Sequence, residues 1–261
     1  MIALVTGASS GIGQATARRL AREPGARLIL VARREDRLRA LADELGGATV
    51  VPADLLEDDA PARVAAAVAE EHGRLDLLVN NAGAAWRGRF GDAGWENVRR
   101  HMALNFDATV RLTEAMLPIL RRSAPSAIVN VASTAGRVSR GNSGGYSASK
   151  FALCGWSDAL HLEELAHRVH VGIVLPGFVV TEGFPQRELV ERARTRWLVS
   201  TPEKVAEAIV QAGPGGKAER FVPRPYALLG GLRTVAPRLM RRILSGGGAV
   251  TPATGPDAQA G

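Results

Sequence analysis

The sequence has one cysteine, Cys154, so an intramolecular disulfide is excluded and the residue reads as buried packing. No apolar run approaches the roughly 20 residues needed to cross a bilayer. Met1 leads through Ile-Ala-Leu-Val straight into a glycine loop, leaving no room for the charged, apolar and cleavage regions of a secretory leader. The expected location is therefore cytoplasmic. Aromatic residues are scarce, at 5 %, and none interleave with a broad basic face, so nucleic acid is not an expected partner despite a net charge of +7. That charge is concentrated at one end: residues 217–261 hold Lys217, Arg220, Arg224, Arg233, Arg238, Arg241 and Arg242 against Glu219 and Asp257. His161, His167 and His170 stand at metal-ligand spacing with no carboxylate cluster, and a metal is not expected. Internal repeats and interdomain linkers are absent.

What is present is a chain of 261 residues, 46 % hydrophobic, long enough for one α/β domain with a full core. Short β-type runs alternate with helical patterns. Strands are expected at Ile2–Val5, Arg27–Val31, Thr49–Val51, Leu75–Val79, Ala127–Val131, Val169–Leu175 and Arg220–Val222. Helices are expected at Gln14–Arg22, Glu35–Leu45, Pro61–His72, Gly94–Leu120, Tyr146 to about His167, and from Thr201-Pro202-Glu203 to about Ala212. Alternation of this kind predicts a doubly wound, Rossmann-type parallel sheet of about seven strands with helices on both faces. We divide the chain into a catalytic domain over 1–225 including a substrate lid at 177–200, a basic amphipathic extension at 226–245, and a tail at 246–261 too poor in apolar residues to order itself. Pro237 should split the extension into two short helices.

Tyr146 and Lys150 are four apart, which is one helical turn on one face. A phenol titrates near ~10, too high for proton transfer at neutral pH. An ammonium at about 5 Å and an effective dielectric of about 20 would favour the phenolate by roughly 3 kcal/mol, or about two pKa units. Ser133 follows an apolar run and so sits at a strand's C-terminal edge, where its hydroxyl could hold the same substrate oxygen. At the other end of the chain, Thr6-Gly-Ala-Ser-Ser-Gly-Ile-Gly13 lies at the first strand–helix turn. Gly7, Gly11 and Gly13 there let the backbone approach a pyrophosphate held by helix N-terminal amides. After the second strand come Arg33 and Arg34, where an acid would bind the free 2′-hydroxyl of NAD; arginine suits the 2′-phosphate of NADP. Asp54-Leu55 reads as an edge for the adenine, and the small residues of Asn80-Asn-Ala-Gly83 permit close approach by a cofactor. Asn105 interrupts its helix with polar neighbours and can mark a distortion that frees a carbonyl for water. The irregular stretch from Phe178 to Ser200, with Phe178 and Phe184, reads as a lid over an apolar substrate.

Together these motifs resemble the short-chain dehydrogenase/reductase family over residues 1–222. The resemblance rests on Thr6-Gly7-x-x-x-Gly11-Ile12-Gly13, Asn80-Asn81-Ala82-Gly83, Asn105, Ser133, Tyr146-x-x-x-Lys150, and Pro176-Gly177 with Thr181, in the family's order and spacing. It implies that Tyr146 is the acid/base, that Ser133 positions the substrate oxygen, and that Lys150 lowers the tyrosine pKa and holds the nicotinamide ribose. Asn105 would support a proton-relay water. Gly7, Ser9, Ser10, Gly11, Ile12, Gly13, Arg33, Arg34, Asp54, Leu55, Asn81, Ala82, Gly83, Pro176, Gly177, Val179 and Thr181 would line the cofactor, with Tyr146 and Lys150. Ser133, Tyr146, Phe178 and Phe184 would meet the substrate. The implied activity is hydride transfer between NADP, or NAD, and a ketone, aldehyde or secondary alcohol, and the implied assembly is a homodimer or homotetramer. Two alternatives compete: a non-catalytic nucleotide-binding regulator, whose expected sign would be a damaged Asn-Ser-Tyr-Lys set, and a protein that contacts membranes peripherally through 226–244.

Overall fold

A computed structural model describes residues 1–182 and 198–246. Strands β1 (Ile2–Thr6), β2 (Arg27–Ala32), β3 (Thr49–Pro52), β4 (Leu77–Asn80), β5 (Ser126–Val131), β6 (Val169–Pro176) and β9 (Glu219–Val222) form one parallel sheet in the order β3-β2-β1-β4-β5-β6-β9. Their near-continuous Val, Ile and Leu content follows from burial on both faces. A separate two-residue pairing joins β7 (Phe178–Val179) to β8 (Val199–Ser200).

Helices fill both faces. On one face α1 (Gly11–Leu20), α2 (Glu35–Glu44) and α7 (Pro202–Ala212) cover Ala3, Val5, Leu28, Leu30 and Val129. On the other, α3 (Ala60–Glu71), α5 (Ala108–Arg122) and α6 (Gly144–Glu164) cover Leu4, Ile29, Leu78 and Ile128. The inward side chains alternate along each strand, so odd and even residues of β1 supply the two cores. Strand order reverses between β1 and β4, and the crevice outside the strands' C-terminal ends there is where a ligand of this fold binds.

Most element boundaries shift by a residue or two from those expected, and the larger differences lie in the helices. The helix expected over Gly94–Leu120 is three pieces: α4 (Phe90–Met102), kinked at Gly94 with φ 57°; a π-helical turn over Ala103–Asp107; and α5. The π turn falls on Asn105, as its polar interruption of the pattern suggested. Helix α1 starts at Gly11 and α6 at Gly144, each earlier than expected, because glycine's weak helix propensity hid the first turn. The extension is two helices, α8 (Tyr226–Val235) and α9 (Pro237–Gly246), divided at Pro237. Phe184 and most of the expected lid lie outside the described residues, as does the tail beyond 246.

Candidate active site

The site grows from the first turn of the sheet. Gly7 and Gly11 take φ of +65° and +54°, backbone angles that side-chain-bearing residues rarely adopt. Gly13 is required for a different reason: a Cβ there would collide with the Gly7 carbonyl and come within 2.7 Å of Asn81 Nδ2. Thr6 stitches the loop to the end of β4, its Oγ1 accepting from the amides of Asn81 and Ala82 at 2.9 Å, while Asn81 Nδ2 donates to the Thr6 carbonyl. Helix α1 has no side-chain cap and no acid in its first turn, so its leading amides and partial positive charge are available to an anion. Thr181 reaches over this loop, its methyl 3.2 Å from where a Gly11 Cβ would stand.

At the far edge of the loop the arginines divide the work differently from the sequence reading, which centred on Arg33. Arg34 Nη2 donates to Ser10 Oγ at 2.9 Å and to Ser9 Oγ at 3.2 Å, laying its guanidinium along the glycine loop. Arg33 instead points toward Asp54, with 4.0 Å between Nη1 and Oδ2. No acid occupies the end of β2 (Ala32), and the cationic pair with two hydroxyls fits a phosphate on the adenosine ribose.

At the other end, Ser133 follows β5 and is nearly buried, with Oγ donating to the Pro176 carbonyl at 3.3 Å and accepting from the Ala135 amide at 3.1 Å. Tyr146 lies in the first turn of α6, half-buried. Lys150, one turn on and 4 % exposed, donates from Nζ to the Val131 carbonyl at 2.9 Å, and its Nζ lies 5.9 Å from the Tyr146 ring centre. Burial pulls Lys150 down to about 8. Burial pushes Tyr146 up, and the Ser133 hydroxyl and then the Arg140 guanidinium pull it back.

Asn105 is wholly buried behind the wall. Its Oδ1 accepts from the Ala84 amide and its Nδ2 donates to the Ala84 carbonyl and to Ser149 Oγ. The same loop is held further on by His101, whose Nε2 accepts from the Trp86 amide at 2.9 Å, and by Asn97, whose Nδ2 donates to the Trp86 carbonyl. Because Nε2 accepts from the Trp86 amide, the ring's proton lies on Nδ1, which donates to the Asn97 carbonyl at 2.6 Å; burial lowers the imidazole's pKa.

One cleft of about 540 Å³ unites these parts. Every cofactor or catalytic residue chosen from sequence lines it except Gly13 and Asn105, which support its walls from behind. Phe178 lines its substrate end; Phe184 lies outside the described residues. The sequence reading missed Trp86, Arg87 and Arg140 in the wall, His101 behind it, and Tyr226 from the extension. A side chain added at Gly177 would strike the Tyr226 ring, whose hydroxyl donates to the Leu198 carbonyl at 3.1 Å. Only the Arg140 position, inside the stretch between Ser133 and Tyr146, carried a signal that could have flagged it.

A glycine loop at the switch point, a ribose-side arginine and a tyrosine–lysine helix in one cleft define a nicotinamide-dependent oxidoreductase. The family model described as short chain dehydrogenase matches residues 1–190. The chain is 34 % identical over 242 residues to the rhamnolipids biosynthesis 3-oxoacyl-[acyl-carrier-protein] reductase of Pseudomonas aeruginosa, covering 88 % of this chain and 89 % of that one. Among solved structures it is similar to an actinorhodin polyketide ketoreductase variant with NADPH, at TM-score 0.75 and 30 % identity over 84 % of this chain and 94 % of that one. It is likewise similar to the RhlG/NADP active-site complex of Pseudomonas aeruginosa, at TM-score 0.75 and 32 % identity over 84 % and 93 % of the two chains. The chain belongs to the short-chain dehydrogenase/reductase family and is an NAD(P)-dependent oxidoreductase.

Proposed function

We propose that the protein is an NADP-dependent carbonyl reductase, reversible to alcohol oxidation, with Tyr146 as its acid/base. The observation that carries this reading is the meeting of Ser133, Tyr146 and Lys150 with the glycine loop and Arg34 in one cleft. The same cleft would hold NADP(H), named in the descriptions of both solved structures, whose nicotinamide would supply or accept the hydride. Ser133 Oγ holds the substrate oxygen, and Tyr146 gives its phenolic proton to that oxygen as charge develops there. Lys150, poised near pH 8, replaces the proton. In this reading the Asn105 backbone carbonyl, on the π turn, would steady a relay water, since the Asn105 side chain is committed to Ala84 and Ser149. The set is whole, which argues against a regulator without turnover.

Trp86 and Phe178 give the substrate an apolar wall, so the carbonyl compound carries an apolar portion. Exposed Trp95 on α4 and Phe151 and Leu162 on α6 support a homo-oligomer joined through these helices. No described helix is long and apolar enough to cross a membrane. Leu228 and Val235, 76 % and 80 % exposed beside Arg233, support reversible contact of an otherwise cytoplasmic protein with an anionic membrane through α8 and α9.

The experiment is NADPH oxidation against a panel of ketones with the parent and Tyr146→Phe. The variant keeps the ring and so keeps NADPH binding, while kcat falls by at least a hundredfold, the lower bound for a general acid. Near-parental kcat in the variant would assign the proton to another group.

A further inference from the structure

The loop over residues 81–87, after β4, has no regular structure of its own, and side chains hold it. Asn97, His101 and Asn105 stand at four-residue intervals along α4 and the π turn, and all three reach this loop. Asn105 takes the amide and the carbonyl of Ala84. Asn97 and His101 do the same for Trp86: its amide donates to His101 Nε2 at 2.9 Å, and its carbonyl accepts from Asn97 Nδ2 at 3.2 Å. Trp86 lines the cleft together with Ser133 and Tyr146. Behind it the His101 ring is wholly buried, its centre 4.9 Å from the Trp86 ring and 6.0 Å from the Tyr146 ring, edge-on to both. Helix α6 closes on the same pair, since a Cβ at Gly145 would come within 2.9 Å of His101 Nδ1 and 3.1 Å of the Asn97 carbonyl. One imidazole therefore lies between the wall that meets the substrate and the helical turn that carries the phenol.

We propose that His101 is a positioning residue that sets Trp86 against Tyr146, and that it does so only as the neutral Nδ1–H tautomer, so that protonating it frees the Trp86 loop and weakens substrate binding while cofactor binding is kept. The effect on substrate rests on the reductase reading above; the clamp and its tautomer do not.

The clamp has a polarity. Nδ1 meets a carbonyl and must carry a proton, whereas Nε2 meets an amide and must not. A second proton, on Nε2, would set two buried donors against each other and leave the Trp86 amide unmet, so the loop would have to move. The charged and titratable groups around the ring are Arg100 on its own helix, whose guanidinium also lies 4.5 Å over the Trp86 ring, and Tyr146 and Lys150 on α6. Burial opposes the imidazolium most, and the two cations oppose it further, which pulls the ring below its ordinary 6.5. The clamp is thus closed at neutral pH and opens in acid. The glycine loop and Arg34 lie at the other end of the cleft, and Asn105 keeps the cofactor side of the loop, so cofactor affinity should not follow.

The test is steady-state kinetics on an apolar ketone from about pH 8 to about pH 5 with the parent, His101→Gln and His101→Leu. Glutamine can present an oxygen where Nε2 stands and does not titrate; leucine fills space and offers no acceptor. In the parent the ketone KM should rise by about tenfold as the pH falls below 6.5, the scale of a buried donor left unmet, with the KM for NADPH level. His101→Gln should keep the neutral-pH KM within a few fold and lose the rise, and His101→Leu should show the raised KM at every pH. A ketone KM that stays level in the parent, or that rises equally in His101→Gln, overturns the proposal. Two-bond 1H–15N spectra of histidine-labelled protein read the clamp without turnover, the His101 signals being those missing from His101→Gln, a comparison that stands even if the leucine variant does not fold. They should show the Nδ1–H form titrating below 6.5. An Nε2–H form, or a ring already charged at neutral pH, overturns the clamp even in a protein that reduces ketones. The Nδ1–H form in a protein that reduces none supports the clamp and refutes the reductase reading.

Discussion

Lys150→Met should make the protein more stable at neutral pH while removing its activity. The lysine is nearly wholly buried and its pKa falls from 10.5 to about 8, so the folded state bears the cost of holding an ammonium away from water. At about 1.36 kcal/mol per pKa unit, that gap corresponds to about 3 kcal/mol. Methionine fills a similar volume without a charge, and loses the bond from Nζ to the Val131 carbonyl, a contribution of about 1.5 kcal/mol. The net expectation is a gain of about 1 to 2 kcal/mol at pH 7. The sign can be followed with pH. Below about pH 8 both folded and unfolded lysine are protonated and the cost is present in full. Between about 8 and 10.5 the folded state releases its proton while the unfolded chain keeps it, so the parent gains stability as pH rises; above 10.5 the difference is gone. Urea denaturation of both proteins from pH 7 to 10.5 should therefore show the variant's advantage shrinking by about 3 kcal/mol and reversing. A difference that stays constant across this window, whatever its sign, would refute the reasoning.

Three further outcomes follow from the same geometry. Arg33→Asp with Arg34→Gln should shift the NADPH/NADH preference toward NADH by roughly tenfold to a hundredfold, read as kcat/KM for each cofactor, because the variant loses the guanidinium that Ser9 and Ser10 hold; equal use of both cofactors by the parent would remove the basis. Gly13→Ala should abolish cofactor binding in a fluorescence titration and lower Tm, since its methyl meets the Gly7 carbonyl, which is backbone and has nowhere to go. A chain ending after Pro225 should melt several degrees lower and lose turnover, because Tyr226 no longer covers Gly177 or bonds to Leu198; unchanged melting and activity would make the extension passive.

The sheet and the gathering of the glycine loop, Ser133, Tyr146 and Lys150 in one cleft were legible because they rest on short-range chemistry: apolar runs of strand length, glycines at the first turn, and a four-residue spacing on one helix. Arg34's place on the glycine loop was not, since adjacent arginines look alike until the turn after β2 directs one to Ser10 and the other to Asp54. The surroundings of Tyr146 were only partly legible for a related reason. Helical spacing puts Lys150 on the right face but says nothing of Val131, which takes its ammonium, or of Arg140, brought in by a loop that pairs with residues more than fifty positions earlier. His101 and Tyr226 likewise work through contacts that no local pattern encodes.

Beneath the catalytic helices the core holds a polar thread. Thr113 on α5 accepts from Asn80 Nδ2, which also donates to Asn130 Oδ1, and Asn130 Nδ2 donates to Ser157 on α6, every link at 2.8 to 2.9 Å and buried. Apolar side chains alone let a helix creep along a sheet, because one leucine replaces another at little cost. This thread has teeth. Thr113 lies about two turns beyond Asn105 and Ser157 about two turns beyond Lys150, so sliding either helix by one residue, about 1.5 Å, breaks a buried link of the thread. The thread indexes α5 and α6 against β4 and β5 as a rack indexes a gear, and because Asn80 and Asn130 each stand one residue before a wall of the cleft, Asn81 and Val131, it fixes the spacing of Asn105 and Lys150 from directly beneath the site.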